Sequence, residues 1–150
     1  MGNSESQVSK TVVSTINPPG IPSPVSIYSQ VTSVPLSPST KLITIAGQVP
    51  VAEDGTVPGT LAEQIDLCLS RVGICLSAVG GKIPDLIRLV YYVTQNAHDP
   101  ETTPRVFMDR LSPWLGGHGP ASCYIVVAGL SHPEYMVEFE ASAVVASKNK

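Results

Sequence analysis

The sequence predicts an α+β domain, with two helices lying on one face of a mixed six-stranded sheet. Three observations carry this expectation. Short segments rich in Val, Ile, Thr and Tyr recur before, between and after two stretches with helical periodicity. Each helical stretch lies between strands, and right-handed crossovers then place both helices on the same face. The 150 residues suit a single domain, 1–150, able to bury a core without disulfides or metal.

The elements follow in order. The first ten residues are polar and expected to fray. Thr11 to Ile16 alternates as a short strand. Four prolines among the seven residues from Pro18 to Pro24 exclude a sheet interior and mark an extended loop. Ile27 to Val34 and Lys41 to Val49 read as the second and third strands, and Glu53-Asp54-Gly55 as a turn. Thr60-Leu61-Ala62-Glu63 is a capping box that opens the first helix. Leu61, Ile65, Cys68, Val72, Cys75, Leu76 and Val79 define its buried face, and Gly80-Gly81 ends it. Leu86 to Thr94 is almost continuously apolar and suits a central strand. Thr103 and Pro104 read as N-cap and first residue of the second helix, with Phe107, Leu111, Trp114 and Leu115 as its stripe. Gly116-Gly117 closes it. Ala121 to Ala128 and Tyr135 to Ala146 complete the sheet.

Composition narrows the function. The formal net charge is −3 and charged residues make up only 14% of the chain, so there is no basic face for nucleic acid. No apolar run reaches membrane-spanning length, and no signal-peptide core is visible. Gly2 to Ser6 fits an N-myristoylation pattern, but no polybasic second signal follows, and such a short pattern arises readily by chance. The three cysteines, Cys68, Cys75 and Cys123, form no CxxC pair and read as reduced core thiols, which points to a cytoplasmic protein. His98, His118 and His132 are scattered over loops, so no metal site is expected.

With Phe139 facing the helices, Glu138 and Glu140 fall on the open face of the sheet. An open face that also carries Val126, Met136 and Val144 calls for a covering partner, and identical subunits are the economical one.

Several segments, in order along the chain, carry a resemblance. They are Tyr28-Ser29-Gln30, Ile45 to Pro50 (IAGQVP), Ala62-Glu63-Gln64, Leu89 to Thr94 (LVYYVT), Gly119 to Cys123 (GPASC) and Val137 to Ala141 (VEFEA). From about Ile27 to Val145 the chain resembles the Rid/YjgF family of imine and enamine deaminases. The resemblance implies a chorismate-mutase-like fold, a homotrimer, and ligand clefts between adjacent subunits. It also implies hydrolysis of small 2-imino or 2-enamino metabolites without metal or cofactor. Glu138 matches the family's water-positioning glutamate, and Tyr28, Gly47 and Gln48 match residues that shape its pocket.

One departure stands out. Aligned without gaps, Ser122 occupies the place of the family's carboxylate-clamping arginine, and Tyr124 follows where a small residue is usual. A guanidinium holds a carboxylate through two charge-assisted hydrogen bonds; a serine offers one neutral donor. A desolvated carboxylate without its cation costs roughly 2–5 kcal/mol. Arg88, Arg105 or Arg110 can replace the clamp only if the fold brings it to the cleft.

Strand parity is read as placing Ser122 and Tyr124 at the cleft and Cys123 against the helices as a buried thiol. The expectation is a trimer acting on an imine, enamine or related electrophile that lacks the usual carboxylate, with Glu138 as general acid/base. A non-catalytic trimer that binds a small molecule or serves as a scaffold fits the lost arginine equally well. A ribonuclease fits least, because the chain is acidic. Plain alternatives also stand for single residues: an interface role for Glu138 and Tyr28, and a bulge glycine at Gly47.

Overall fold

A computed structural model describes residues 12–147 of the chain. The acylation pattern at Gly2 to Ser6 and the expected strand start at Thr11 lie outside the described residues.

The elements are β1 (Ser14–Ile16), β2 (Val31–Ser37), β3 (Thr40–Gln48), α1 (Leu61–Ala78), β4 (Leu86–Thr94), α2 (Thr103–Leu115), β5 (Ala121–Val127) and β6 (Val137–Ala146). They build one six-stranded sheet in the order β1-β2-β3-β6-β4-β5. Only β4 and β5 pair in parallel, through the α2 crossover. β6 inserts between β3 and β4 and runs antiparallel to both, which makes the sheet mixed.

The α+β class is as expected, and so are the bounds of β4. At the start of α1 the Glu63 amide donates to Thr60 Oγ1 at 3.3 Å, and the Thr60 amide donates to Glu63 Oε2 at 3.2 Å. Both halves of the capping box are therefore present. Gly80, at φ 78°, takes the left-handed turn after the C-cap Val79.

Several other strand ends shift by one or two residues, and two of the differing boundaries have a visible cause. β2 begins at Val31 rather than Ile27, because the Gln30 amide donates to Asn17 Oδ1 at 2.9 Å and Tyr28 sits in a turn closed on Val25. It then runs through Pro35, beyond Ser33 where pairing with β1 stops and β2 becomes an edge that tolerates a missing donor. The N-cap of α2 is Thr102, not Thr103. The Thr103 hydroxyl is engaged elsewhere, donating to the Ala97 carbonyl and accepting from the Asp99 amide.

The core lies between the sheet and the helices. Ile43 and Ile45 from β3, Leu89 and Val93 from β4, and Val137 and Phe139 from β6 pack against Ile65, Cys68, Val72 and Leu76 of α1 and Phe107 of α2. The rings of Tyr91, Phe107 and Phe139 cluster together, with Tyr91 at centroid distances of 5.2 and 5.4 Å from the other two.

Parity in β5 is the reverse of expectation. Tyr124 faces the helices, where its ring meets Phe107 and Tyr91 edge-on at 5.1 and 5.7 Å. Its hydroxyl hydrogen-bonds His98 Nδ1 at 2.8 Å. Ser122 and Val126, two residues to either side, share that face, so Val126 does not belong to the open one. Cys123 points to the open face, half-buried, 3.9 Å from Arg88 Nη2. Alternation says only that neighbours oppose; which set turns inward was decided by the larger aromatic surface of Tyr124, with its hydroxyl satisfied.

Candidate functional site

The third strand ends in a bulge that organises the site. Ile45 pairs with Ala141, but Gln48 pairs with Phe139, so β3 carries one extra residue at Ala46-Gly47. The extra residue turns Gln48 inward, where it is fully buried. It also brings Gly47 under the Glu138 side chain. A Cβ on Gly47 would overlap the Glu138 carboxylate, so only glycine allows this close seat.

Glu138 is half-buried on the open face. Loss of solvent raises its pKa above the ordinary carboxylate value, and the nearby charge of Glu140 adds to the effect. Across the ladder from Glu138 lies Tyr92. Desolvation first, and the Glu140 carboxylate second, push the Tyr92 phenol up as well. A carboxyl group whose pKa is raised by burial, beside a surface open to ligand, is suited to proton transfer.

Tyr28 lies in the turn before β2 with 48% of its surface exposed. Two residues on, Gln30 accepts from Gln48 Nε2 at 2.8 Å, tying this segment to the bulge. Gly47 and Gln48 thus sit at the bulge beside Glu138, and Tyr28 lies on the segment that Gln48 holds through Gln30.

Ser122 and Tyr124 do not join them. They sit on the helix side of β5, whereas Glu138 projects from the opposite face of the sheet. The Ser122 hydroxyl donates to the Pro120 carbonyl at 2.9 Å. Beside them a groove of about 600 Å³ runs between α2 and the sheet edge, lined by Tyr91, Phe107, Met108, Leu111, Leu115 and Tyr124 among others. None of its lining residues is Asp, Glu, Lys or Arg.

The other arginines named as substitutes for the clamp are not at this groove. Arg110 makes a bidentate pair with Asp66 of α1 at 2.9 and 2.8 Å. Arg105 lies 4.0 Å from Asp109 on the exposed side of α2. Arg88 projects from the open face near Glu140.

One residue of the site region escaped the sequence reading. Arg71 is only 4% exposed, although it carries a charge. Its Nε donates to Gln48 Oε1 at 3.2 Å, and its Nη1 to the carbonyls of Val49 and Val51 at 2.6 and 3.0 Å. Burial lowers its pKa, but a guanidinium stays cationic at neutral pH. A signal was available: Arg71 is three residues after Cys68 and four before Cys75, on the buried stripe of α1.

The helix thiols are inert by contrast. Burial pushes Cys75 up to about 11 and Cys68 higher still, which leaves both protonated.

The family model for endoribonuclease L-PSP matches residues 20–145. The chain belongs to this family, also called YjgF/Rid. Its fold is that of the YjgF gene product of E. coli, with 27% identity, a TM-score of 0.70, and coverage of 87% of this chain and 98% of that one. It is similarly like E. coli TdcF, solved with bound serine, at 26% identity, a TM-score of 0.68, and coverage of 91% and 99%. A Rid-family protein of unknown function from Yersinia pestis, YyfA, shares the fold at 21% identity, with a TM-score of 0.74 over 89% and 99%. No curated protein matches the chain in sequence. Among the described residues of this Rid-family chain, no helix is long and apolar enough to cross a membrane.

The seat of Glu138 over Gly47 predicts a specific outcome for Gly47→Ala. The obstacle to the new methyl group is the end of a flexible side chain, so the fold should survive and the carboxylate should move into solvent. Carboxyl NMR should show the Glu138 titration falling toward the ordinary range, with an unchanged circular dichroism spectrum. A titration that does not move would show that Glu138 is not seated there.

Proposed function

We propose that this Rid-family chain forms a homotrimer whose inter-subunit cleft hydrolyses a small imine or enamine lacking an α-carboxylate. The observation that carries this reading is the desolvated Glu138 carboxyl over the Gly47 bulge. Glu138 takes a proton from water as the water oxygen attacks the imine carbon. Glu138 then gives that proton to the carbinolamine nitrogen, the C–N bond breaks as the hydroxyl proton passes back to Glu138, and carbonyl product and ammonia leave.

The two halves of the candidate site lie on opposite faces of one sheet. A single chain cannot close Ser122 and Tyr124 onto Glu138, and a second copy can supply the missing half. Serine bound to the relative TdcF supports a small, amino-acid-sized ligand. The uncharged groove beside Tyr124 favours a neutral or apolar substrate group here. The net charge of −3 and the paired Glu138 and Glu140 oppose a polyanionic RNA substrate.

The Ser122 hydroxyl, turned onto its own backbone, also favours a second reading: a trimer that binds a small molecule without catalysis.

One experiment separates the two. An amine oxidase and an amino-acid oxidase generate, in turn, a carboxylate-free imine and a 2-imino acid, and ammonia release is followed with and without the protein. Acceleration of the first and not the second is expected. No acceleration of either supports the binding protein. Preferred turnover of the 2-imino acid would show that a cation elsewhere replaces the arginine whose place Ser122 occupies. Light scattering at micromolar concentration should give the mass of a trimer; a folded monomer would overturn the inter-subunit site.

A further inference from the structure

We infer that Arg71 is the positioning residue for the Glu138 half of the site, holding the β3 bulge through Gln48 and the Val49 and Val51 carbonyls. The inference deepens the reading of Glu138 as the proton-transfer group and rests on it for its functional part.

Arg71 is an unusual residue to find at this place. It is nearly enclosed, and among the described residues it makes no ion pair with a carboxylate. Taking a guanidinium out of water is costly, and an apolar side chain of similar size would fill the same stripe of α1 at lower cost. What an apolar side chain cannot do is bind three oxygens at once. Nε and Nη1 of Arg71 reach Gln48 Oε1 at the end of β3 and the carbonyls of Val49 and Val51 just beyond it. The fork geometry of the guanidinium makes this possible.

From Gln48 the network runs on in two directions. Gln48 Nε2 donates to Gln30 Oε1 at 2.8 Å, which reaches the segment bearing Tyr28. The same nitrogen donates to the Ala46 carbonyl at 2.9 Å, which closes the bulge on itself. The Ala46 amide in turn donates to the Gln30 carbonyl at 2.9 Å. Gly47 lies between these two clamped residues and under the Glu138 carboxylate. One buried cation thus fixes the backbone on which the carboxylate rests. Tyr28 and Tyr135 are close enough to count among the charges acting on Arg71, so the network reaches the rim of the same region.

Several charged or titratable groups bear on Glu138 directly. Glu140 shares its strand, Tyr92 lies opposite on β4 with Arg88 nearby, and Cys68 approaches from α1. Arg71 reaches the Glu138 seat through Gln48 and the bulge backbone, and that is what the test reads.

The test uses the full chain and two substitutions. Glu138 is assigned in the carboxyl NMR spectrum by its disappearance in Glu138→Gln, and its titration is then followed in Arg71→Met and Arg71→Lys. Arg71→Met removes every clamp; the bulge relaxes, water reaches the carboxylate, and the titration midpoint should fall toward the ordinary carboxylate range. Arg71→Lys keeps the charge but places all its donors on one nitrogen, which cannot span Gln48 and both carbonyls as the guanidinium fork does. Its midpoint should lie between those of Arg71→Met and the unaltered chain. In the imine assay Arg71→Met should lower kcat by about 100-fold, the scale of a 1 Å misplacement, with a smaller change in KM.

A folded Arg71→Met whose Glu138 titrates as in the unaltered chain overturns the inference. If Arg71→Met does not fold, Arg71→Lys decides: an unmoved midpoint there overturns it equally. The NMR readout needs no catalysis. If the unaltered chain hydrolyses no imine yet the midpoint moves as expected, the positioning role stands and the proposed chemistry falls.

Discussion

Glu138→Gln is expected to abolish imine hydrolysis while leaving fold and assembly in place. Loss of general base catalysis removes on the order of 10²–10⁴ in kcat. The amide keeps the size and shape of the carboxyl group, so the seat over Gly47 remains filled. In the unaltered chain activity should rise with pH as Glu138 loses its proton, and the rise should lie above the usual carboxylate range because burial holds the proton on. The same shift has a stability consequence. The folded state binds this proton more tightly than the unfolded chain does, so its contribution is present at low pH and is lost as pH rises through the folded-state pKa. At neutral pH Glu138→Gln removes a poorly solvated charge and should be as stable as the unaltered chain, or more so. A pH–rate profile and urea unfolding at two pH values test both parts. Retained activity in a folded Glu138→Gln trimer would reduce Glu138 to an interface residue.

Phe139→Ala is expected to have the largest effect on stability, about 3–5 kcal/mol. Phe139 is fully buried. Its ring stacks on Tyr91 and lies 6.1 Å from Phe107 of α2, so its loss opens a cavity between sheet and helix. Domains of this size are stable by about 5–15 kcal/mol in all, so the variant should be close to unfolding. Phe139 also pairs with Gln48 and adjoins Glu138, so the site should loosen with the core. Urea denaturation followed by circular dichroism measures the effect. A loss under 1 kcal/mol would mean that the aromatic cluster is not a packed unit.

Much of this molecule was legible in one dimension because local rules determine it. The capping box at Thr60 and Glu63 involves neighbours three residues apart. The apolar run from Leu86 to Thr94 needs no partner to identify it as an interior strand. Alternation along Val137 to Ala141 placed Phe139 inward and Glu138 outward, and the ordered segments from Tyr28 to Ala141 carried the family resemblance.

The tertiary structure decided which groups meet. Alternation in β5 could not say which face turns inward, and the docking of Tyr124 on Phe107 and Tyr91 made that choice. It moved Cys123 to the open face and put Ser122 and Glu138 on opposite sides of the sheet. The bulge at Ala46-Gly47 exists only as a register difference between β3 and β6, which a single strand does not display. Arg71 lies on the buried stripe of α1, but its three acceptors lie 20 to 23 residues away in sequence, so the chain alone did not name its partners. Helix caps and periodicity come from interactions within a few residues and can be read from the chain directly. The face of an edge strand, the seat of a carboxylate and the partner of a buried cation depend on packing between distant segments, and only the folded molecule specifies them.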